Sequence, residues 1–172
     1  IRDLIVTGVQ TCALPIFIWM AVVFFGSTDA LSARKTSRFI RPFLHWLLPG
    51  ASAKTINTLH GAIRKGGHVG EYAVLTMLVW YARRHSTRPD AGLHPWRWAD
   101  AGFALAFAVT YAVTDEWHQG FVGTRTGSWM DVLWDSLGAL LGLFCVWAWH
   151  RGALCIRARS TATELSENTG GR

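Results

Sequence analysis

Five of the eleven carboxylates in this chain, Glu71, Asp115, Glu116, Asp131 and Asp135, fall inside or at the edges of long apolar blocks. In a lipid environment such groups are expensive unless they face other helices, find a partner or take up a proton. Helical spacing groups them. His68, Glu71 and Tyr72 lie at i, i+3 and i+4 on one face, and Tyr111, Asp115 and Gln119 repeat at i, i+4 and i+8 on another. In the last block Asp131, Asp135, Gly138 and Gly142 form a single stripe. Gly138 and Gly142 are a small-xxx-small pair that permits close helix approach, so this stripe is expected to face other helices and to turn both Asp inward. At ~1.5 Å per residue, Asp135 lies roughly 9 Å below Trp129, deep enough to need a partner or a proton.

Three chemistries are open to such a cluster. Lys65, Arg125 and His68 can neutralise the carboxylates and lock a helix bundle, since structural ion-pair networks arise from the same groups as active sites. Alternatively, the cluster binds an amphipathic envelope molecule. Arg125, on the loop from Gly120 to Ser128, would hold a phosphate or carboxylate by a bidentate contact, with Trp117 and Trp129 packing on lipid or sugar. The third chemistry is metal-dependent: Glu71, Asp115, Glu116 and Asp131 are oxygen ligands that suit Mg or Mn, with His68 or His118 as base. No nucleophile elbow, P-loop or HExxH motif accompanies it. The ordinary readings are that His118 is interfacial, lying off the Asp115 and Gln119 stripe, and that Tyr72 and Tyr111 pack the core with a satisfied hydroxyl. His45, His60, His85, His94 and His150 share no spacing with the cluster.

The elements that must position these residues are helices. Hydrophobic residues make up 51% of the chain, charged residues 16%, and ten are Trp, which excludes disordered, collagen-like and disulfide-framework classes. Apolar residues cluster in four blocks: about 16–25, 66–82, 98–116 and 129–149. The last three approach the ~17 to 25 residues of a spanning helix; the first is short. Trp80, Trp96, Trp98, Trp117, Trp129, Trp147 and Trp149 sit near block ends, where amphipathic rings favour headgroups. We therefore expect an all-α integral membrane bundle of four transmembrane helices. A soluble bundle would need more polar face than these blocks offer.

The connections set an expected orientation. Residues 26–65 are basic and too polar to cross; within them FIRPFLHWLLPG reads either as a solvated loop or as a short interfacial helix ended by Pro49 and Gly50. Residues 83–97 and the tail after His150 are also basic, and four spans put these two on one side. The positive-inside rule then places both termini in the cytoplasm of a bacterial inner membrane and the carboxylates on the opposite face. The remaining basic residues are topology signals and lipid-headgroup contacts. Residues from Ser160 onward are expected to be disordered. The formal charge of +6 comes without any nucleic-acid motif, and Cys145 and Cys155 form neither a disulfide framework nor a metal pair.

One segment is foreign in appearance. VTGVQTCALPI, residues 6–16, corresponds to the translation of a widely used sequencing-library adapter. We expect residues 1–16 to be adapter-derived, 17–150 to be the transmembrane domain and 151–172 a basic then disordered tail. Cys12 then drops out of the native count.

The segments KGGHVGEYAVLTMLVWYARR and TDEWHQGFVGTRTGSWMDVLWDSLGALLG resemble the two signature regions of the VanZ-like membrane proteins, and FFGSTDALS resembles that family's third landmark. The matching positions are Lys65, His68, Glu71 and Tyr72, then Asp115, Glu116 and Gln119, then Arg125 and Asp131, with Gly138 and Gly142. Asp135 departs from the pattern, which often has Asn there. The resemblance implies a multi-pass membrane protein with an accessory or binding role in the cell envelope, toward a glycopeptide such as teicoplanin or a lipid-linked envelope intermediate. The family brings no mechanism, and a metal-dependent enzyme on a lipid-linked substrate is the alternative. Expected partners are membrane lipids and such an envelope ligand; no resident cofactor is implied.

Overall fold

The computed structural model describes residues 2–28, 33–87, 95–121 and 128–170, with the backbone alone for 2–12, 33–35, 158–159 and 161–170. Arg125, most of the loop that carries it, and part of the FFGSTDALS landmark lie outside the described residues. The described chain is all-α: α1 Arg2–Ser27, α2 Ala33–Leu47, α3 Ala53–Thr87, α4 Trp98–Phe121 and α5 Trp129–Gly170.

Local chemistry explains the ends. Ser52 caps α3: its Oγ accepts from the Thr55 amide at 3.2 Å and its carbonyl from the Ile56 amide at 3.0 Å. The cap starts α3 well before Gly66, where the apolar block begins. Ser128 caps α5, its Oγ accepting from the Met130 amide at 3.2 Å, and Asp131 sits in the first helical turn, where the helix dipole favours negative charge. Residues 33–47 form a helix rather than an irregular loop, and Pro49 and Gly50 follow its end. The helix also continues past His150 to Gly170, where sequence suggested disorder. Ala, Leu, Arg and Glu make up half of residues 151–170 and favour a helix wherever a preceding one is there to propagate. Through residues 6–16 the backbone of α1 is continuous helix.

α3 is the hub, packing against each of the other four helices. Its Tyr72, Leu75 and Val79 are buried against Ala101, Ala104, Ala108 and Ala112, a stripe of small residues along α4, with Val23 of α1 and Ala139 of α5. The glycine stripe of α5 lies on α3. A Cβ at Gly138 would stand 2.3 Å from the Val69 carbonyl oxygen, and one at Gly142 2.4 Å from that of Ala73. Only glycine fits a backbone approach this close.

By length and apolarity, one described helical stretch suffices to cross a membrane, Trp129–Arg157; Ala13–Ser27 is apolar but shorter. Of the other expected spans, 66–82 in α3 contains Glu71 and is bordered by Lys65, Arg83 and Arg84, and 98–116 in α4 carries Asp100, Asp115 and Glu116 near its ends.

Candidate functional site: a buried carboxyl layer

Four helices bring polar side chains to one level of the bundle: the last turn of α1, the middle of α3, the last turns of α4 and the first turns of α5. Because α4 runs opposite to α3 and α5, its C-terminal Asp115, Glu116 and Gln119 meet the N-terminal Asp131 and Asp135 of α5. Asp115, Glu116, Gln119 and Asp135 are all buried.

Asp115 is held across two helices. Its Oδ2 accepts from the Ser27 hydroxyl at 2.5 Å and from the Gln119 amide at 3.0 Å, and Gln119 also reaches Ser27 Oγ at 3.4 Å. Gln119 reaches Asp115 because i and i+4 share a helix face. Ser27 is a site residue that the sequence reading missed; its only signal was a lone hydroxyl closing the first apolar block.

Asp135, fully buried, faces His68, Oδ1 to Nδ1 at 3.5 Å, without a hydrogen bond between them. Glu116 Oε2 accepts from the Ser128 amide at 2.9 Å, which ties the end of α4 to the cap of α5. Each carboxyl keeps an oxygen without a hydrogen bond: Asp115 Oδ1, Glu116 Oε1 and both oxygens of Asp135. The Tyr72 hydroxyl is also buried and unpaired, contrary to the expected satisfied hydroxyl, whereas Tyr111 donates to the Met20 carbonyl at 2.8 Å. Orphaned oxygens of this kind are strongly disfavoured in a native interior unless water, a proton or a ligand reaches them.

The remaining expected residues divide. Glu71 is half-buried, and its backbone carbonyl accepts from Trp19 Nε1 at 2.9 Å. Asp131 is half-buried in the first turn of α5. Lys65, expected to neutralise the carboxylates, is exposed, with its ammonium 5.1 Å from the centroid of the Trp134 ring. His118 lies on Phe24, ring centroids 4.8 Å apart.

Beside the layer is a cavity of about 430 Å³ lined by Val113, Glu116, Trp117, Gly120, Ser128, Trp129 and Val132. Trp117 and Trp129 are both exposed. As for the oxygen-rich metal set, no three His, Cys, Asp or Glu side chains among the described residues come close enough to hold an ion. Glu71, Asp115, Glu116 and Asp131 are therefore not gathered as a ligand set for a resident metal.

Residues 12–150 match a family model described as VanZ/LLP1. The chain belongs to the VanZ/LLP1 family. The VanZ/LLP1 match takes in every residue of the carboxyl layer. No curated protein and no solved structure matches the chain.

At the far end of the helices lies a second polar group that the sequence reading left among topology signals. Asp100 is buried, with Arg83 Nε at 3.7 Å and Arg97 Nε at 3.9 Å. Arg84 reaches the His150 ring at 3.3 Å, and Trp96 stacks on Trp80 with centroids 5.4 Å apart. Buried carboxylates thus occur at both ends of the bundle, not at one. The i, i+3 pair of Arg97 and Asp100 was the legible signal; the Arg83 contact, across a chain connection, was not.

Proposed function

We propose that this VanZ/LLP1 protein is a multi-pass protein of the bacterial cytoplasmic membrane, with four spanning helices, that serves an accessory role in the envelope by binding an amphipathic molecule at its carboxyl layer. The observation that carries the reading is Glu116, whose Oε1 has no hydrogen bond, in the wall of a cavity of about 430 Å³ with two exposed Trp, backed by further carboxyl oxygens without a hydrogen bond on Asp115 and Asp135. Donor groups of a glycopeptide or a lipid-linked wall intermediate suit the oxygens, and the Trp rings suit its apolar or sugar portion.

The membrane part of the reading is supported by large side chains turned outward along the helices. Phe17, Phe25, Leu133 and Phe144 are each at least 60% exposed, with Leu137, Leu140 and Leu141 between them on α5. Apolar side chains exposed to this extent suit lipid rather than water. The basic residues at 83–97 and beyond His150 support a reading with both termini in the cytoplasm and the carboxyl layer outward.

Alanine at Asp115 or Glu116 tests the binding role. The expected result is loss of teicoplanin tolerance with unchanged membrane abundance; abundance falling in step with tolerance would reduce the layer to a structural lock. Lipid or glycopeptide retained after gentle extraction, and depleted about tenfold in the same variants, would be the direct readout, since losing one hydrogen bond to a charged group is worth ~1.5–3 kcal/mol. Labelling by an impermeant thiol reagent of a cysteine placed at Gly120 in intact cells checks the orientation, and protection there would reverse it.

A further inference from the structure

Between α4 and α5, at the arginine end and away from the carboxyl layer, lies a second cavity of about 540 Å³. Every residue of its wall is Trp, Phe, Leu, Ala or Gly. α4 and α5 run in opposite directions, so the start of α4 is level with the later turns of α5. Trp96, Trp98 and Trp147 therefore stand together at one end of the cavity, and Leu105 and Leu140 lie at the other, deeper in the bundle. Trp96 and Trp98 brace each other edge to face, centroids 6.0 Å apart. From Leu140 to Trp147 the α5 wall runs roughly 10 Å, at ~1.5 Å per residue.

The ring end carries positive charge. Arg97, between Trp96 and Trp98 in the chain, is exposed, and so is Arg151, whose guanidinium carbon lies 5.9 Å from the centroid of the Trp147 ring. Asp100 is already compensated by Arg83 and Arg97 together. Arg151 stands outside that set, and α5 has no acidic residue between Asp135 and Glu164.

We propose that this cavity seats one anionic phospholipid, with an acyl chain lying between α4 and α5 and the headgroup phosphate held by Arg151 and Arg97. The order along the cavity, cation then indole then aliphatic wall, is the order of phosphate, glycerol ester and hydrocarbon along the lipid. Guanidiniums bind phosphate oxygens by forked hydrogen bonds, and indoles favour the level of the headgroups. Under the orientation proposed above, this end meets the cytoplasmic leaflet, where anionic lipids gather basic side chains. The proposal rests on the membrane reading but on no residue of the carboxyl layer.

The test reconstitutes the full chain in phosphatidylcholine vesicles containing a trace of phosphatidylglycerol with a photoactivatable diazirine in mid-chain, and maps the cross-linked residues by peptide mass spectrometry. A matched diazirine phosphatidylcholine is the control. Cross-links should concentrate on Leu105 and Leu140 over Leu133 and Leu141, which are exposed elsewhere on α5. They should saturate against unlabelled phosphatidylglycerol and be weak from the phosphatidylcholine probe. Gly102 lines the cavity and a Cβ there meets open space, so Gly102→Leu fills the cavity and should abolish its labelling. Arg151→Gln should bind phosphatidylglycerol about tenfold more weakly, and Arg151→Lys near normally. Labels spread evenly over Leu133, Leu141 and the cavity, or equal labelling by the two probes, overturn the proposal. So do chain-to-chain cross-links at an unlabelled cavity, which make the occupant a second copy. If Gly102→Leu loses helix content, the unsubstituted chain still decides through saturation and the comparison of the two probes. A chain that does not float with the vesicles overturns the membrane reading and this site with it; one that floats without selective labelling overturns this site alone.

Discussion

The two ends of the bundle treat buried carboxylates in opposite ways. At the arginine end, Asp100 has two half-exposed guanidiniums within 4 Å, and the neighbouring cations rest on rings, Arg83 over Phe103 at 4.5 Å and Arg84 over Trp80 at 5.1 Å. At the carboxyl end, Asp115, Glu116 and Asp135 converge with the His68 imidazole as the described basic neighbour of Asp135, and Lys65 is turned to Trp134. One end is balanced in charge by groups that also reach solvent. The other is enclosed and short of donors. A balanced end suits anchoring; an enclosed, donor-poor one leaves room for a ligand's donors.

The largest break in this comparison comes from the element that joins the ends. Gly138→Val places side-chain carbons against the Val69 backbone and forces α5 off α3. Overpacking typically costs ~1–3 kcal/mol and occasionally more, and with backbone as the obstacle the upper part of that range is expected. Thermal unfolding in detergent should fall sharply, with Gly152→Val, where a Cβ has open space, as the mild control.

The two ends are then separated by matched substitutions. Asp115→Ala removes the acceptor of Ser27 and Gln119 and should cut ligand retention about tenfold while lowering stability by ~1–3 kcal/mol. Asp100→Asn should leave ligand retention alone and lower stability by about 1 kcal/mol, because its arginines are 42% exposed and solvent already screens them. Equal loss of ligand from both variants would erase the distinction between the ends. A smaller effect is expected at the cap: Ser128→Ala loses the bond to the Met130 amide, worth ~1 kcal/mol. The backbone bond to Glu116 survives that change, so ligand retention should stay near normal.

The smallest effect is one of pH. Burial lowers the pKa of His60 in the fold, so the unfolded chain binds the proton more readily. Stability at the α2–α3 elbow is therefore fully present above pH 6.5, the ordinary value, and is lost as pH falls through 6.5 toward the lower folded value. Hydrogen exchange of α2 should accelerate on acidification across that window, and His60→Gln should flatten the dependence.

Much of this was written in the pattern of residues. The i, i+4 stripes named Asp115, Gln119, Asp131 and Asp135, and the glycine pair announced a close approach on the same face of the last helix. Other features were not legible. Ser27 meets Asp115 across 88 positions of chain, and no local rule links a hydroxyl at the end of one helix to a carboxylate at the end of another. Lys65 misled for a related reason: charge arithmetic pairs it with the carboxylates, but its flexible side chain settles on the Trp134 ring. Asp100 was passed over because its partner Arg83 lies on a different helix.

By itself, the sequence determined the helical class, the faces on which polar and small residues lie, and the family signature, because helical periodicity and backbone size are local properties. The tertiary structure decided which of those faces meet and which carboxyl oxygens are left without a donor. Those outcomes depend on how antiparallel and parallel helices register against α3, and that register is fixed by packing over distances that no local spacing encodes.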